Sequence, residues 1–111
     1  MRIAIASVSK EESAEISPRP GRARFYLVFD ETGELLEVIS NPFSRGGGGA
    51  GFGVAKMLAD KGVDIVVGGQ FGENMEGVLR QRGLKYCEMA GSVKDALARV
   101  IEGTGRENVR D

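Results

Sequence analysis

The residues best suited to chemistry in this chain are a glycine run and a group of arginines. Ser44 to Gly53 reads Ser-Arg-Gly-Gly-Gly-Gly-Ala-Gly-Phe-Gly and leads straight into the helical pattern Val54, Ala55, Met57, Leu58. Glycine has no Cβ, so backbone N–H groups can turn outward and approach a ligand closely. The start of a helix adds unpaired N–H donors with partial positive charge. Gly46, Gly47, Gly48, Gly49 and Gly51 are therefore candidate donors to an anion. Arg19, Arg22, Arg24 and Arg45 form a local basic group, of which Arg19 and Arg22 are the candidate charge partners. A second glycine turn, Gly68-Gly69-Gln70-Phe71-Gly72, opens another helical pattern and contributes Gly69, Gly72 and Asn74. Singly, each feature also has a plain structural reading, as a flexible connector or a solvated surface charge.

Other chemistries are weaker. Gly46, Gly48 and Gly51 satisfy G-x-G-x-x-G, but a dinucleotide fingerprint needs a strand, turn and helix within a βαβ unit, and here a hairpin strand and Asn41-Pro42 intervene. No Gly-Lys-Ser/Thr follows, which removes a phosphate-binding P-loop. With no histidine the chain cannot by itself make the usual zinc sites. Cys87, the single cysteine, is a candidate metal ligand weighed against the role of a small buried hydrophobe.

The elements that must position these residues belong to one domain. A chain of 111 residues, 41% apolar and 28% charged, has room for a single core. Seventeen glycines show no collagen-like period and mark loops instead. A net charge of −1 and a pI of about 5.6 give no field to attract nucleic acid or a membrane surface. No segment approaches the roughly 20 apolar residues of a membrane span, and no signal-peptide core precedes the first strand. A cytoplasmic protein without nucleic-acid or membrane partners is expected.

Arg2 to Val8 alternates isoleucine with alanine and reads as a strand buried on both faces. Ser9 to Gly21 is a polar, proline-punctuated loop. Arg24 to Phe29 and Leu35 to Ile39 flank the turn Asp30-Glu31-Thr32-Gly33 as a β-hairpin. The glycine loop then opens a helix closed by Gly62. Ile65 to Val67 is a strand, a second helix ends at Gly83, Lys85 to Glu88 is the last strand, and Ser92 caps a third helix. Residues 1–103 form the domain, and the polar stretch 104–111 is expected to be a disordered tail. The order β-β-β-α-β-α-β-α predicts an α/β fold, a five-stranded mixed sheet with helices on its faces. If only the second strand runs against the others, the loop 9–21, the start of the second strand at Arg22 and Arg24, the glycine run, the turn 68–72 and the stretch Met89 to Ser92 gather at one edge, beyond the carboxyl ends of the parallel strands, where such sheets bind ligands.

Several motifs together resemble a known family. Ser17-Pro18-Arg19-Pro20-Gly21-Arg22-Ala23, Asn41-Pro42 with the glycine run, Gly62-Val63-Asp64-Ile65-Val66-Val67-Gly68-Gly69 and Ser92-Val93-Lys94-Asp95-Ala96-Leu97 resemble the dinitrogenase iron-molybdenum cofactor biosynthesis family over about residues 1–102. The resemblance implies a ribonuclease-H-like three-layer fold. It also implies binding or carriage of iron–molybdenum cofactor or a related metal–sulfur cluster, including a molybdenum–copper sulfide in the orange-protein branch. One departure matters: where the family commonly has histidine and phenylalanine, this chain has Arg19 and Pro20. An imidazole can donate a lone pair to a metal, whereas a guanidinium offers only hydrogen bonds and charge.

The expected function is that of a non-catalytic binding or carrier protein for an anionic metal–sulfur cluster, either iron–molybdenum-cofactor-like or a molybdenum-copper/iron sulfide. Arg19, Arg22 and the glycine amides would hold it, with Cys87 the one thiol available. A protein-interaction or regulatory module working with a partner ATPase is the alternative, marked by an apolar patch around Phe43, Phe52 and Phe71. A small phosphorylated metabolite in the same cradle is another. Nuclease activity would need clustered carboxylates for two metal ions. Arg2 to Val8 carries none.

Overall fold

The computed structural model describes residues 1–45 and 49–103, together with the backbone of 109–110. The elements are β1 (Arg2–Ser7), a 3-10 turn (Pro20–Arg22), β2 (Phe25–Asp30), β3 (Leu35–Ser40), α1 (Ala50–Asp60), β4 (Ile65–Gly68), α2 (Glu73–Gln81), β5 (Lys85–Glu88), α3 (Val93–Gly103) and β6 (Val109–Arg110). They form one mixed sheet in the order β3-β2-β1-β4-β5-β6. β1, β4 and β5 run parallel, β2 is antiparallel to β1 and β3, and β6 is antiparallel to β5.

The alternation in β1 sorts its side chains between two cores. Ala4 and Ala6 face α1 and α2, where they meet Val54, Leu58, Met75 and Leu79. Ile3 and Ile5 face α3 and pack with Val93, Leu97 and Val100. β2 repeats the division, with Tyr26 and Val28 on the first side and Leu27 and Phe29 on the second. Small residues on the two-helix side let those helices sit close to the sheet.

Turn chemistry fixes the connections. Asp30 Oδ1 accepts the Thr32 hydroxyl at 2.6 Å, the Thr32 amide at 2.9 Å and the Glu34 amide at 3.1 Å, closing the hairpin. The Thr32 hydroxyl, followed by the Glu34 amide, holds the Asp30 carboxyl below the usual carboxylate range. Gly62 and Gly83 end α1 and α2 with φ of +78° and +77°, the left-handed geometry expected of them. At α3, Ser92 Oγ accepts the Asp95 amide at 3.1 Å. The polar loop supplies the rest of that cap: Ala14 O and Glu12 O each accept an α3 amide, from Val93 and Lys94, at 2.9 Å.

Two expectations need correction. α1 begins at Ala50, so Gly51 and Gly53 are helical residues and not part of the preceding loop. The glycines are tolerated there because two neighbours occupy the space of a side chain: Met75 against Gly51, and the Phe43 ring against Gly53. The sheet also gains a two-residue edge strand, since Cys87 pairs with Val109 and Tyr86 with Arg110. The expected tail otherwise falls on 104–108 and 111, outside the described residues. No helix among the described residues is long and apolar enough to cross a membrane.

Candidate anion-binding cleft

At the edge beyond the carboxyl ends of β1 and β4 lies a cleft of ≈ 700 Å³ with three walls: residues 18–22, 49–51 and 70–75. Each wall follows a different strand. The first belongs to the loop after β1, the second to the start of α1 after β3, and the third to the start of α2 after β4.

Close backbone approaches hold the walls together. A Cβ on Gly69 would lie 2.5 Å from Pro18 Cα, and one on Gly68 would run into the Pro20 ring. β4 can therefore end flush against the proline loop only because both positions lack side chains. A Cβ on Gly21 would lie 3.5 Å from Gly51 Cα, which brings the first wall against the second.

The two helix starts at the cleft differ from α3. Gly49 caps α1 in the left-handed conformation at φ +85°, and Gly72 caps α2 at φ −81° and ψ 161°; neither supplies a side-chain hydrogen bond. Their first turns offer N–H donors and the positive ends of two helix dipoles to the cleft. Arg19 is exposed and Arg22 half-buried at the same wall, with Arg22 Nη1 donating to Phe43 O at 3.4 Å. Asn74 and Gln70 add side-chain amides, and Glu73 is the one carboxylate of the lining. Just behind, Glu88 Oε2 accepts the Phe71 amide at 3.2 Å. The lining thus presents chiefly hydrogen-bond donors and positive charge.

Of the candidate residues, Arg19, Arg22, Gly49, Gly51, Gly72 and Asn74 meet at this cleft. Gly46, Gly47 and Gly48 lie outside the described residues. Gly69 is not in the lining: its amide donates to Ser17 O at 2.9 Å, so it braces the proline loop instead of offering a donor to a ligand. Cys87 is likewise elsewhere. It is buried beneath α3 with Ile5, Val67 and Val93, and burial pushes its thiol up to about 11, against a small opposing pull from Arg99. A neutral core thiol is poorly placed to ligate a metal. Among the described residues no group of three or more His, Cys, Asp or Glu is arranged to hold an ion.

Arg24 is turned aside to stack with Lys10 on Phe25, at 5.8 Å and 5.6 Å from the ring centroid. The aromatic patch does not form. Phe71 is buried with its centroid 5.0 Å from that of Tyr86, Phe43 covers Gly53, and only Phe52, 51% accessible, stands in solvent. Pro18, Pro20, Gln70 and Glu73 also line the cleft, and residue type and spacing alone do not single them out. The prolines had a signal only in retrospect, because a Gly-Gly pair at a strand end admits a proline pair from far along the chain.

Residues 1–103 match the sequence profile of a family described as "Dinitrogenase iron-molybdenum cofactor". The chain belongs to that family. Among solved structures, the apo form of the orange protein from Desulfovibrio gigas matches with a TM-score of 0.85 and 26% identity, over 98% of this chain and 90% of that one. A NifB-like protein from Thermotoga, of the DUF35 family, matches in its solution structure with a TM-score of 0.73 and 28% identity, over 99% and 91% of the two chains. No curated protein matches by sequence. The α/β fold with its mixed sheet and three helices is thus shared with both of these proteins.

Proposed function

We propose that this protein binds an anionic metal–sulfur cluster, a molybdenum- or iron-containing sulfide, as cargo and releases it unchanged. The observation that carries this reading is the convergence of two helix starts without side-chain caps and the two arginines Arg19 and Arg22 on one cleft. Membership of a family described by the iron-molybdenum cofactor supports a metal–sulfur cluster as the cargo. Arg19, standing where related chains commonly have histidine, makes the mode of holding one of hydrogen bonds and charge to the cluster's outer sulfides, without a protein–metal bond.

Magnitudes agree with a carrier. A charge-assisted hydrogen bond contributes roughly 1.5 to 3 kcal/mol net, and a helix start roughly 0.3 to 1 kcal/mol more. Three or four such contacts approach the ~8 kcal/mol of micromolar affinity before ordering costs are subtracted. Such a site can load and unload. We read the strand order β3-β2-β1-β4-β5, with β2 reversed, as ribonuclease-H-like, and the lack of a carboxylate on β1 speaks against a two-metal nuclease. We take the carrier to be non-catalytic and to act in the cytoplasm.

The test is anaerobic addition of tetrathiomolybdate, with and without copper or iron, followed by absorbance and gel filtration. Colour co-eluting with the protein is the expected result, and colour found only in the salt volume overturns the reading. Binding of pyrophosphate without binding of the thiometallate would assign the cleft to a phosphorylated metabolite. The interaction-module reading, with a partner ATPase, lacks the three-phenylalanine patch and would draw instead on exposed Phe52 and on a shallow groove of Pro42, Phe43, Gly53 and Met57.

A further inference from the structure

The carbonyl oxygens of residues 17–21 and of Ala23 accept hydrogen bonds from within the protein, and two buried side chains complete that arrangement. Ser17 O accepts the Gly69 amide at 2.9 Å, and Pro18 O accepts the Gln70 amide at 3.0 Å. Arg19 O accepts the Arg22 amide at 3.0 Å and the Ser17 hydroxyl at 3.3 Å. Pro20 O accepts the Ala23 amide at 3.3 Å and also the Tyr26 hydroxyl. Asn41 Nδ2 donates to Gly21 O at 3.3 Å and to Ala23 O at 2.8 Å. Its Oδ1 accepts the Phe43 amide at 2.9 Å, and Phe43 O in turn receives the Arg22 guanidinium at 3.4 Å.

A carbonyl oxygen is the negative end of the peptide dipole, so each one facing the cleft would repel an anion. Tyr26 is fully buried, Asn41 is 5% exposed, and neither lines the cleft. Burial alone requires that their polar atoms find partners. It does not require that the Tyr26 hydroxyl and both Asn41 amide bonds go to one short turn of the cleft wall.

We propose that Tyr26 and Asn41 are positioning residues for anion binding: by donating to the Pro20, Gly21 and Ala23 carbonyls they keep the negative dipole ends of the Arg19–Arg22 turn inward. Asn41 acts twice, because it also anchors residue 43, whose carbonyl holds Arg22. The pair contributes without touching the ligand. The inference rests on the cluster-binding reading for its ligand, though not for its geometry.

Tyr26→Phe removes one hydroxyl at nearly constant shape, and Asn41→Ala removes the amide. Phe29→Leu, in the opposite core beneath α3, is the control for lost stability. In ligand-free protein, amide hydrogen exchange at Arg22 and Ala23 is expected to quicken about tenfold in the first two variants and not in the control, with the α3 amides following global stability in all three. Unchanged rates at Arg22 and Ala23 overturn the proposal. Tetrathiomolybdate titration should show about 3- to 10-fold weaker binding for Tyr26→Phe, at least as large a loss for Asn41→Ala, and wild-type affinity for Phe29→Leu. Affinity that merely follows stability across the three variants also overturns it. Should Asn41→Ala not fold, Tyr26→Phe decides alone. If wild-type protein binds no thiomolybdate, the cluster reading fails, and hydrogen exchange still decides whether these residues hold the turn.

Discussion

A side-chain carbon on Gly51 would lie 3.2 Å from the backbone nitrogen of Met75 and 3.3 Å from its Cβ. The first turn of α1 is therefore seated directly against the first turn of α2, and the spacing of the two helix starts is set by a missing methyl group. Gly51→Ala should gain about 1 kcal/mol of helix propensity and lose about 1 to 3 kcal/mol to overpacking against a rigid helix backbone. The expected net result is a lower urea midpoint together with weaker thiomolybdate binding. A variant that is more stable and binds equally well would show that the close seating is dispensable.

Arg22→Ala should weaken thiomolybdate binding by about 1.5 to 3 kcal/mol, the worth of a charge-assisted hydrogen bond. Because Arg22 is only half-buried, stability should change far less than affinity. Arg22→Lys should recover part of the affinity and leave a steeper salt dependence, since an ammonium keeps the charge but not the planar fork. Titrations at two ionic strengths would separate these contributions, and equal affinities in all three proteins would remove Arg22 from the site.

Gly72 invites a trade between stability and binding. Its φ and ψ are those of an ordinary helix cap, and a Cβ there would meet nothing within 4 Å. In Gly72→Ser the new hydroxyl can accept an α2 amide, which should raise stability by a few tenths of a kcal/mol while occupying a donor that the proposed anion would use. Higher thermal stability with lower affinity is the expected pair of results. Gly69→Ala is the contrasting case: its Cβ would lie 2.5 Å from Pro18 Cα, so chemical denaturation should show a loss of about 1 to 3 kcal/mol.

The Cys87 thiol predicts a pH effect of definite sign. Its ordinary value is about 8.5, and burial raises it to about 11 in the folded protein. Between these values the unfolded chain has released the proton and the native chain has not, so stability falls as pH rises through this window and is complete below it. Comparing urea midpoints at pH 7.5 and 10 in wild type and Cys87→Val isolates the contribution, because the variant lacks that part of the slope. Native protein should also resist iodoacetamide at pH 8 and react once unfolded in urea; rapid native alkylation would contradict the burial.

What could be read from the sequence was what is local. Gly62 and Gly83 reveal helix ends because a left-handed residue has a chemical signature, and Ser92 reveals a cap because its oxygen answers an amide nearby in the chain. The gathering of the proline loop, the stretch Gly49 to Gly51 and the second glycine turn also followed, because strand direction decides which connections share an edge. Contacts between distant residues stayed hidden. Nothing near Gly51 announces that Met75 will occupy the space of its side chain, and a glycine beside a glycine run is easily taken for loop. Asn41 reads as half of a turn dipeptide, yet its amide reaches back to Gly21 and Ala23. Cys87 lies on a strand ending near the rim, and only the packing of α3 decides that its sulfur faces inward.

The three walls of the cleft come from stretches separated by about 30 and 20 residues of chain, and no wall contains a complete set of donors. Cargo seated among them would add a brace to walls that glycine contacts and a few backbone hydrogen bonds already join. By mass action it would raise the melting temperature and slow proteolysis increasingly as free cargo rises above its dissociation constant. A filled carrier would then outlast an empty one, so that turnover of the polypeptide would itself register how much cargo is at hand.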